Sequence, residues 1–248
     1  MDRWRGLGIP LDVLAQADAL AWIEDAIAAG RQGWIATPNP EIAVAAWRTP
    51  ALADALSHAD LCLADGIGML WASRTLGGPL QERVPGIELL EQALAVCARQ
   101  SWPVYFLGAK PGVAAAAGRR AAARWPGLQV AGTAHGYFAA AESAAVAQDV
   151  LAAGPRVLAV GMGYPRPELW LAEHSSRLPV VIAIACGGSL DVLAGEVTRA
   201  PEWFRRRNLE WFYRIAAAPR ARLGRSGALL QFAARVTAIR LGLVSRLG

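Results

Sequence analysis

Several things this chain lacks narrow what it can be. Of its 248 residues only three are cysteine (Cys62, Cys97, Cys186) and three histidine (His58, His135, His174), all far apart. No CxxC, HExxH or DxD occurs, so neither a disulfide frame nor a metal-ligand set is legible. Neither GxGxxG nor a Walker loop is present, which weakens dinucleotide and NTPase readings. Ser189 sits in Gly187-Gly188-Ser189-Leu190-Asp191, without the GxSxG elbow of a nucleophile, and reads as a loop serine. The opening MDRWRGLGIPLD has no signal-type apolar core. No apolar run reaches the roughly 18–20 residues that cross a bilayer. The nearest, Gly227–Leu247, is broken by Gln231, Arg235, Arg240 and Arg246.

Acids are also scarce at one end. From Arg199 onward there are eleven arginines against Glu202 and Glu210, a charge of +9. Residues 1–198 hold 14 basic and 18 acidic residues, or −4, which leaves the chain at +5. A mildly acidic body with a cationic tail must meet something anionic: a membrane surface, a diphosphate or nucleic acid.

What is present alternates short apolar strands with helices. Gly33–Thr37, Leu61–Ala64, Val104–Gly108, Leu128–Gly132, Val157–Gly161 and Val180–Ala185 read as strands, with Leu7–Leu14 the best first strand. Helical stretches include Glu41–Ala46, Ile87–Arg99, Val113–Arg124, Ala140–Ala153 and Glu168–Ser176. This rhythm predicts an α/β fold, a Rossmann-like, mostly parallel sheet with helices on both faces, over residues 1–195. A basic helical appendage, 196–248, follows. Ligands of such sheets bind beyond the carboxyl ends of the strands.

The polar motifs fall at those ends. Asp65-Gly66 closes the strand from Leu61, and Asp65 suits either a helix cap or a general base. In Thr37-Pro38-Asn39-Pro40, Thr37 and Asn39 offer a hydroxyl and an amide, with a turn and helix start as the plain reading. Arg83 precedes the helix from Ile87; its planar fork suits a diphosphate, although a surface ion pair is the ordinary alternative. Two glycine turns, around Gly108–Gly112 and Gly161–Gly163, point N–H groups at helix starts where anions bind. Leu229, Phe232, Ala233, Val236, Leu243 and Leu247 recur at helical spacing and suggest a membrane-facing stripe beside the tail cations.

Taken in order, ATPNPE (36–41), LADGIGM (63–69), ERVPG (82–86), FLGAKPG (106–112), HGYF (135–138), VGMGYPRPE (160–168), ACGGSLDVLAG (185–195) and RAPEWFRRRNLEWFYRI (199–215) resemble the WecG/TagA/CpsF family of bacterial glycosyltransferases. The resemblance implies an inverting transferase that moves a sugar from a UDP-sugar to a polyprenyl-diphosphate-linked sugar in cell-surface polysaccharide synthesis. N-acetylmannosamine is the first choice of donor sugar, with a hexose or uronic acid as alternatives. It implies Asp65 as base and a substrate-binding set of Thr37, Asn39, Gly66, Arg83, Gly108, Gly136, Tyr137, Gly161, Gly163, Glu168, Arg214, Arg220, Arg222 and Arg225. No cofactor or metal is expected, because arginines and helix ends would carry the leaving-group charge. The expected location is cytoplasmic, peripheral on the inner membrane face, bound to anionic lipid and not to nucleic acid, with homo-oligomerisation left open. Pro167 stands where the family usually has Gln, Ala218-Pro219 where it favours Glu-Pro, and Asn208 replaces its usual Gly. A nucleotide-sugar epimerase or dehydrogenase is the rival enzyme reading, and a nucleic-acid-binding module the non-enzyme one.

Overall fold

A computed structural model describes residues 2–178, 182–207, 213 and 219–245, of which 205, 206 and 219–226 as backbone. Six strands form one sheet: β3 (Gly33–Ala36), β4 (Leu61–Cys62), β5 (Val104–Gly108), β6 (Val130–Ala134), β7 (Val157–Gly161) and β8 (Ile182–Ala185). Their order is β4-β3-β8-β7-β5-β6, and every pairing is parallel. The four inner strands are buried on both faces, as an apolar run in a parallel sheet must be.

Side chains alternate between two cores. Trp34, Tyr105, Leu107, Leu158, Val160 and Ala183 face one way. Ile35, Val104, Phe106, Val157, Ala159 and Ile184 face the other. The second face is covered by α1 (Gln16–Ala28), α5 (Gly86–Gln100), α6 (Val113–Arg124) and the short α9 (Ser189–Ala194). On the first face lie α2 (Pro40–Arg48), α3 (Pro50–Ser57), α4 (Ile67–Thr75), α7 (Ser143–Ala153) and α8 (Arg166–His174).

Two expectations need correction. Leu7–Leu14 is not a strand of the main sheet. Instead β1 (Arg3–Trp4) and β2 (Leu11–Asp12) form a separate antiparallel ribbon. Asp12 is the reason: Arg3 holds it at 2.8 Å, and the Cys62 N–H donates to it at 2.7 Å. The ribbon therefore satisfies the free edge of β4 with side-chain bonds where a further strand would otherwise pair. The strand expected at Leu128–Gly132 runs over Val130–Ala134, because the turn at Pro126-Gly127 extends to Leu128, whose N–H bonds the Trp125 carbonyl at 3.1 Å.

Beyond the sheet, α10 (Glu202–Arg206) precedes α11 (Pro219–Arg240), and α11 returns to the body against α2 and α4. Phe232, Val236 and Ile239 are buried in the first core. This corrects the expectation that Phe232 and Val236 face lipid: their side of the helix is already covered by protein. Leu247 lies outside the described residues.

Candidate active site

The ends of β3 and β4 hold the first group of residues. Past Ala36 the ladder continues into the loops: Leu63 N–H bonds the Ala36 carbonyl at 2.8 Å, and Asp65 N–H bonds that of Pro38 at 3.0 Å. Asn39 caps α2, its Oδ1 accepting the Ile42 N–H at 3.0 Å, with Pro40 in the first turn. Gly66, at φ +90°, turns the chain into α4, a conformation that a side chain would strain. Val84 N–H then bonds the Ala64 carbonyl at 2.8 Å, which draws the half-buried Arg83 segment to the same edge. Thr37 is buried and donates to the Ala185 carbonyl at 3.4 Å. A Cβ on Gly86, the first residue of α5, would sit 2.5 Å from the Thr37 hydroxyl oxygen. The fold thus brings Thr37, Asn39, Asp65, Gly66 and Arg83 from three separate motifs to one edge of the sheet.

At the ends of β5 to β8 the backbones themselves meet. Ala109 N–H bonds the Gly161 carbonyl at 2.6 Å, and a Cβ on Gly108 would collide with that oxygen. Gly136 N–H bonds the Ala109 carbonyl at 2.9 Å. Gly108, Gly136 and Gly161 therefore have a packing role whatever binds above them. Tyr137, beside them, leaves 63% of its surface exposed. Gly163, at φ +70°, opens the turn into α8.

The two glycine turns differ as anion sites. At α8, Pro165 and Pro167 have no N–H, and that of Arg166 bonds the Gly163 carbonyl at 3.2 Å. Glu168 stands in the same first turn, so this end suits a phosphate less well than the α6 end. The α6 end carries no acid in its first turn and has Lys110 exposed just before it. Lys110 also acts electrostatically on Asp191 of α9, whose carboxyl is pushed up by burial. Asp191 was not among the site residues expected from sequence, although the ACGGSLDVLAG motif contains it. Ser189, expected in a loop, is instead the buried first residue of α9, its N–H bonded to the Cys186 carbonyl at 3.0 Å.

Glu168 is 3% exposed, and its Oε2 has no hydrogen-bond partner. Burial pushes its carboxyl up to about 7, against an opposing hydrogen bond from its own backbone N–H. An unsatisfied buried polar atom costs about 1–3 kcal/mol, and here it lies in the turn that follows a sheet edge. Composition and spacing carried no sign of that burial.

Arg214 lies outside the described residues, as do the side chains of Arg220, Arg222 and Arg225. Among the described residues no group of three His, Cys, Asp or Glu could hold a metal ion, and no helix is long and apolar enough to cross a membrane. The profile of the Glycosyl transferase WecG/TagA/CpsF family matches residues 4–246. The chain belongs to this family.

As a WecG/TagA/CpsF member it is a glycosyltransferase. Among its relatives is an N-acetylglucosaminyldiphosphoundecaprenol N-acetyl-beta-D-mannosaminyltransferase of Bacillus spizizenii, 37% identical over 186 residues, covering 75% of this chain and 72% of the relative. Proteins of the same name from Bacillus subtilis (35%, 75% of this chain and 72% of the relative) and Staphylococcus aureus (36%, 73% and 70%) are similar to it. In this WecG/TagA/CpsF glycosyltransferase the edge at Thr37, Asp65 and Arg83 brings a hydroxyl, a carboxylate and a guanidinium within one fold of the backbone.

Proposed function

We propose that this glycosyltransferase moves a sugar of N-acetylmannosamine type from a UDP-sugar to an N-acetylglucosamine carried on a polyprenyl diphosphate. The observation that carries the reading is the convergence of Thr37, Asp65 and Arg83 at the carboxyl edge of β3 and β4. The relatives' names support the choice of sugar and acceptor.

In the proposed reaction the acceptor hydroxyl oxygen attacks the anomeric carbon from the face opposite UDP. Its proton passes to the Asp65 carboxylate, acting as general base. The bond from the anomeric carbon to the diphosphate oxygen breaks, and UDP leaves with the electron pair. Arg83, the exposed α6 start with Lys110, and cations of the appendage stabilise the charge that develops on the diphosphate. Tyr137 offers an exposed ring on which a nucleobase can stack. No metal is required in this scheme. Docking on the inner membrane face would present the chain to its lipid-borne acceptor. Leu241 and Leu243 are 66% and 74% exposed just past Arg240, apolar groups beside a cationic tail that suit an anionic bilayer.

The test is a transfer assay with UDP-N-acetylmannosamine, other UDP-hexoses and a UDP-uronic acid, on a short-chain lipid-diphosphate N-acetylglucosamine, with and without EDTA. Disaccharide formed with release of UDP, undiminished by EDTA, supports the reading. Preference for another UDP-sugar corrects the donor. Loss of activity restored by Mg²⁺ overturns the metal-free scheme, and no transfer with any UDP-sugar overturns the function.

A further inference from the structure

The appendage begins at an ion-pair junction made by Arg199, the first residue of the RAPEW motif. Gly195 to Thr198 are all exposed, and the chain passes there beside a cavity of about 720 Å³ lined by Trp125, Val192 and Val197. At Arg199 it is caught. Arg199 Nη2 donates to Glu88 Oε1 at 2.6 Å, and Nη1 donates to Glu91 Oε2 at 3.3 Å. The other oxygen of Glu91 accepts from Arg124 Nη1 of α6 at 2.7 Å. Glu88 and Glu91 lie three residues apart on α5 and so share a face. The Arg199 side chain is 15% exposed, so water screens this junction less than an open surface pair. Ala200, next in the chain, is buried.

The helix that receives Arg199 also forms a wall of the site. Its first residue, Gly86, abuts the Thr37 hydroxyl, and Val84 just before it bonds the Ala64 carbonyl next to Asp65. Glu88 is in the same first turn. A planar fork on two carboxylates fixes direction as well as position, which a single lysine would not.

We propose that Arg199 is a positioning residue for sugar transfer: its fork on Glu88 and Glu91 fixes the root of the basic appendage to the α5 turn beside Thr37 and Arg83. The point at which the appendage leaves the body is thereby set relative to Thr37 and Arg83. This rests on the reading that appendage arginines serve the site.

The experiment uses the full chain. Arg199→Ala should lower kcat/KM by roughly tenfold and speed tryptic release of the C-terminal fragment by a similar factor, with Arg199→Lys in between. The charge-reversed pair Glu88→Arg with Arg199→Glu should run closer to wild type, in both readouts, than either single variant. A fall in kcat at saturating substrate, with the melting temperature of the body unchanged, is what a merely structural arginine would not give. Normal turnover in Arg199→Ala, or a reversed pair no better than its singles, overturns the inference. A second variant, Arg220→Gln with Arg222→Gln and Arg225→Gln, separates the two levels. If it transfers at the wild-type rate, the reading of the appendage fails and the inference with it. If it is impaired while Arg199→Ala is normal, the inference alone fails.

Discussion

The rings of Trp47 and Phe232 stack with centroids 5.7 Å apart and planes 5° from parallel, joining α2 to the appendage helix. The Trp47 indole N–H donates to the Leu7 carbonyl at 2.7 Å, and the Arg235 guanidinium lies 5.0 Å from its ring centre. Arg48 also bonds Gln231 across the same contact. One indole thus ties the N-terminal segment, α2 and α11 together. Phe232→Ala should destabilise the protein by about 3–5 kcal/mol, the cost of emptying a large core site. Urea denaturation checks this, and a loss near zero would show that α11 is not docked as described. Because Phe232, Val236 and Ile239 belong to the core, removing the chain from Gly227 onward should damage the body as well as any lipid contact.

Lipid contact is therefore better tested with the apolar groups that stay exposed. Leu241→Ser, Leu243→Ser and Val244→Ser together should weaken co-sedimentation with anionic vesicles by about tenfold or more. The melting temperature should stay close to that of the parent. Unchanged sedimentation would leave attachment to the arginines alone.

Asp65→Asn keeps the shape of the turn and removes the base. Transfer should fall by about 10²–10⁴ with folding intact. Circular dichroism and a turnover assay read the two effects separately, and near-normal turnover refutes the role.

Arg83→Lys retains the charge and loses the fork. Activity should drop although net charge is unchanged. Full tolerance of Lys, and near-tolerance of Ala, would make Arg83 a surface residue. Kinetics with varied UDP-sugar concentration decide it.

Glu168 should leave a mark on stability as a function of pH. Its folded carboxyl titrates at about 7, whereas an unfolded Glu loses its proton near pH 4.3. Between those values the folded state binds more protons than the unfolded one. The contribution is therefore complete below about pH 4.3 and is lost as pH rises through about 7. The loss amounts to roughly 4 kcal/mol across that window. Glu168→Gln should flatten this part of the profile. Parallel profiles for the two proteins, measured by urea denaturation from pH 5 to 8, would assign the effect elsewhere.

Much of the body was legible because its signals are local. Val104–Gly108, Val113–Arg124 and Val157–Gly161 are found where apolar runs and turn residues place them. Asp65-Gly66 and Thr37-Pro38-Asn39 end their strands, so their place at the ligand edge follows from the parallel alternation alone. The ribbon at Arg3–Asp12 was not legible, since an acid that stops a strand by capping a distant backbone looks in sequence like any polar position. Arg199 with Glu88 and Glu91 is of the same kind: three charges whose meeting depends on how α5 and the end of α9 pack.

The appendage separates what the sequence by itself determined from what tertiary structure decided. Its excess of arginine and the periodic Phe232 and Val236 establish a basic helix with an apolar stripe, because period and charge are properties of the chain alone. What that stripe meets is not such a property. A lipid tail and an indole ring are equally apolar, so the same residues fit either. The choice fell to Trp47, which folding brings opposite Phe232, and it left Leu230, Leu241, Leu243 and Val244 facing outward.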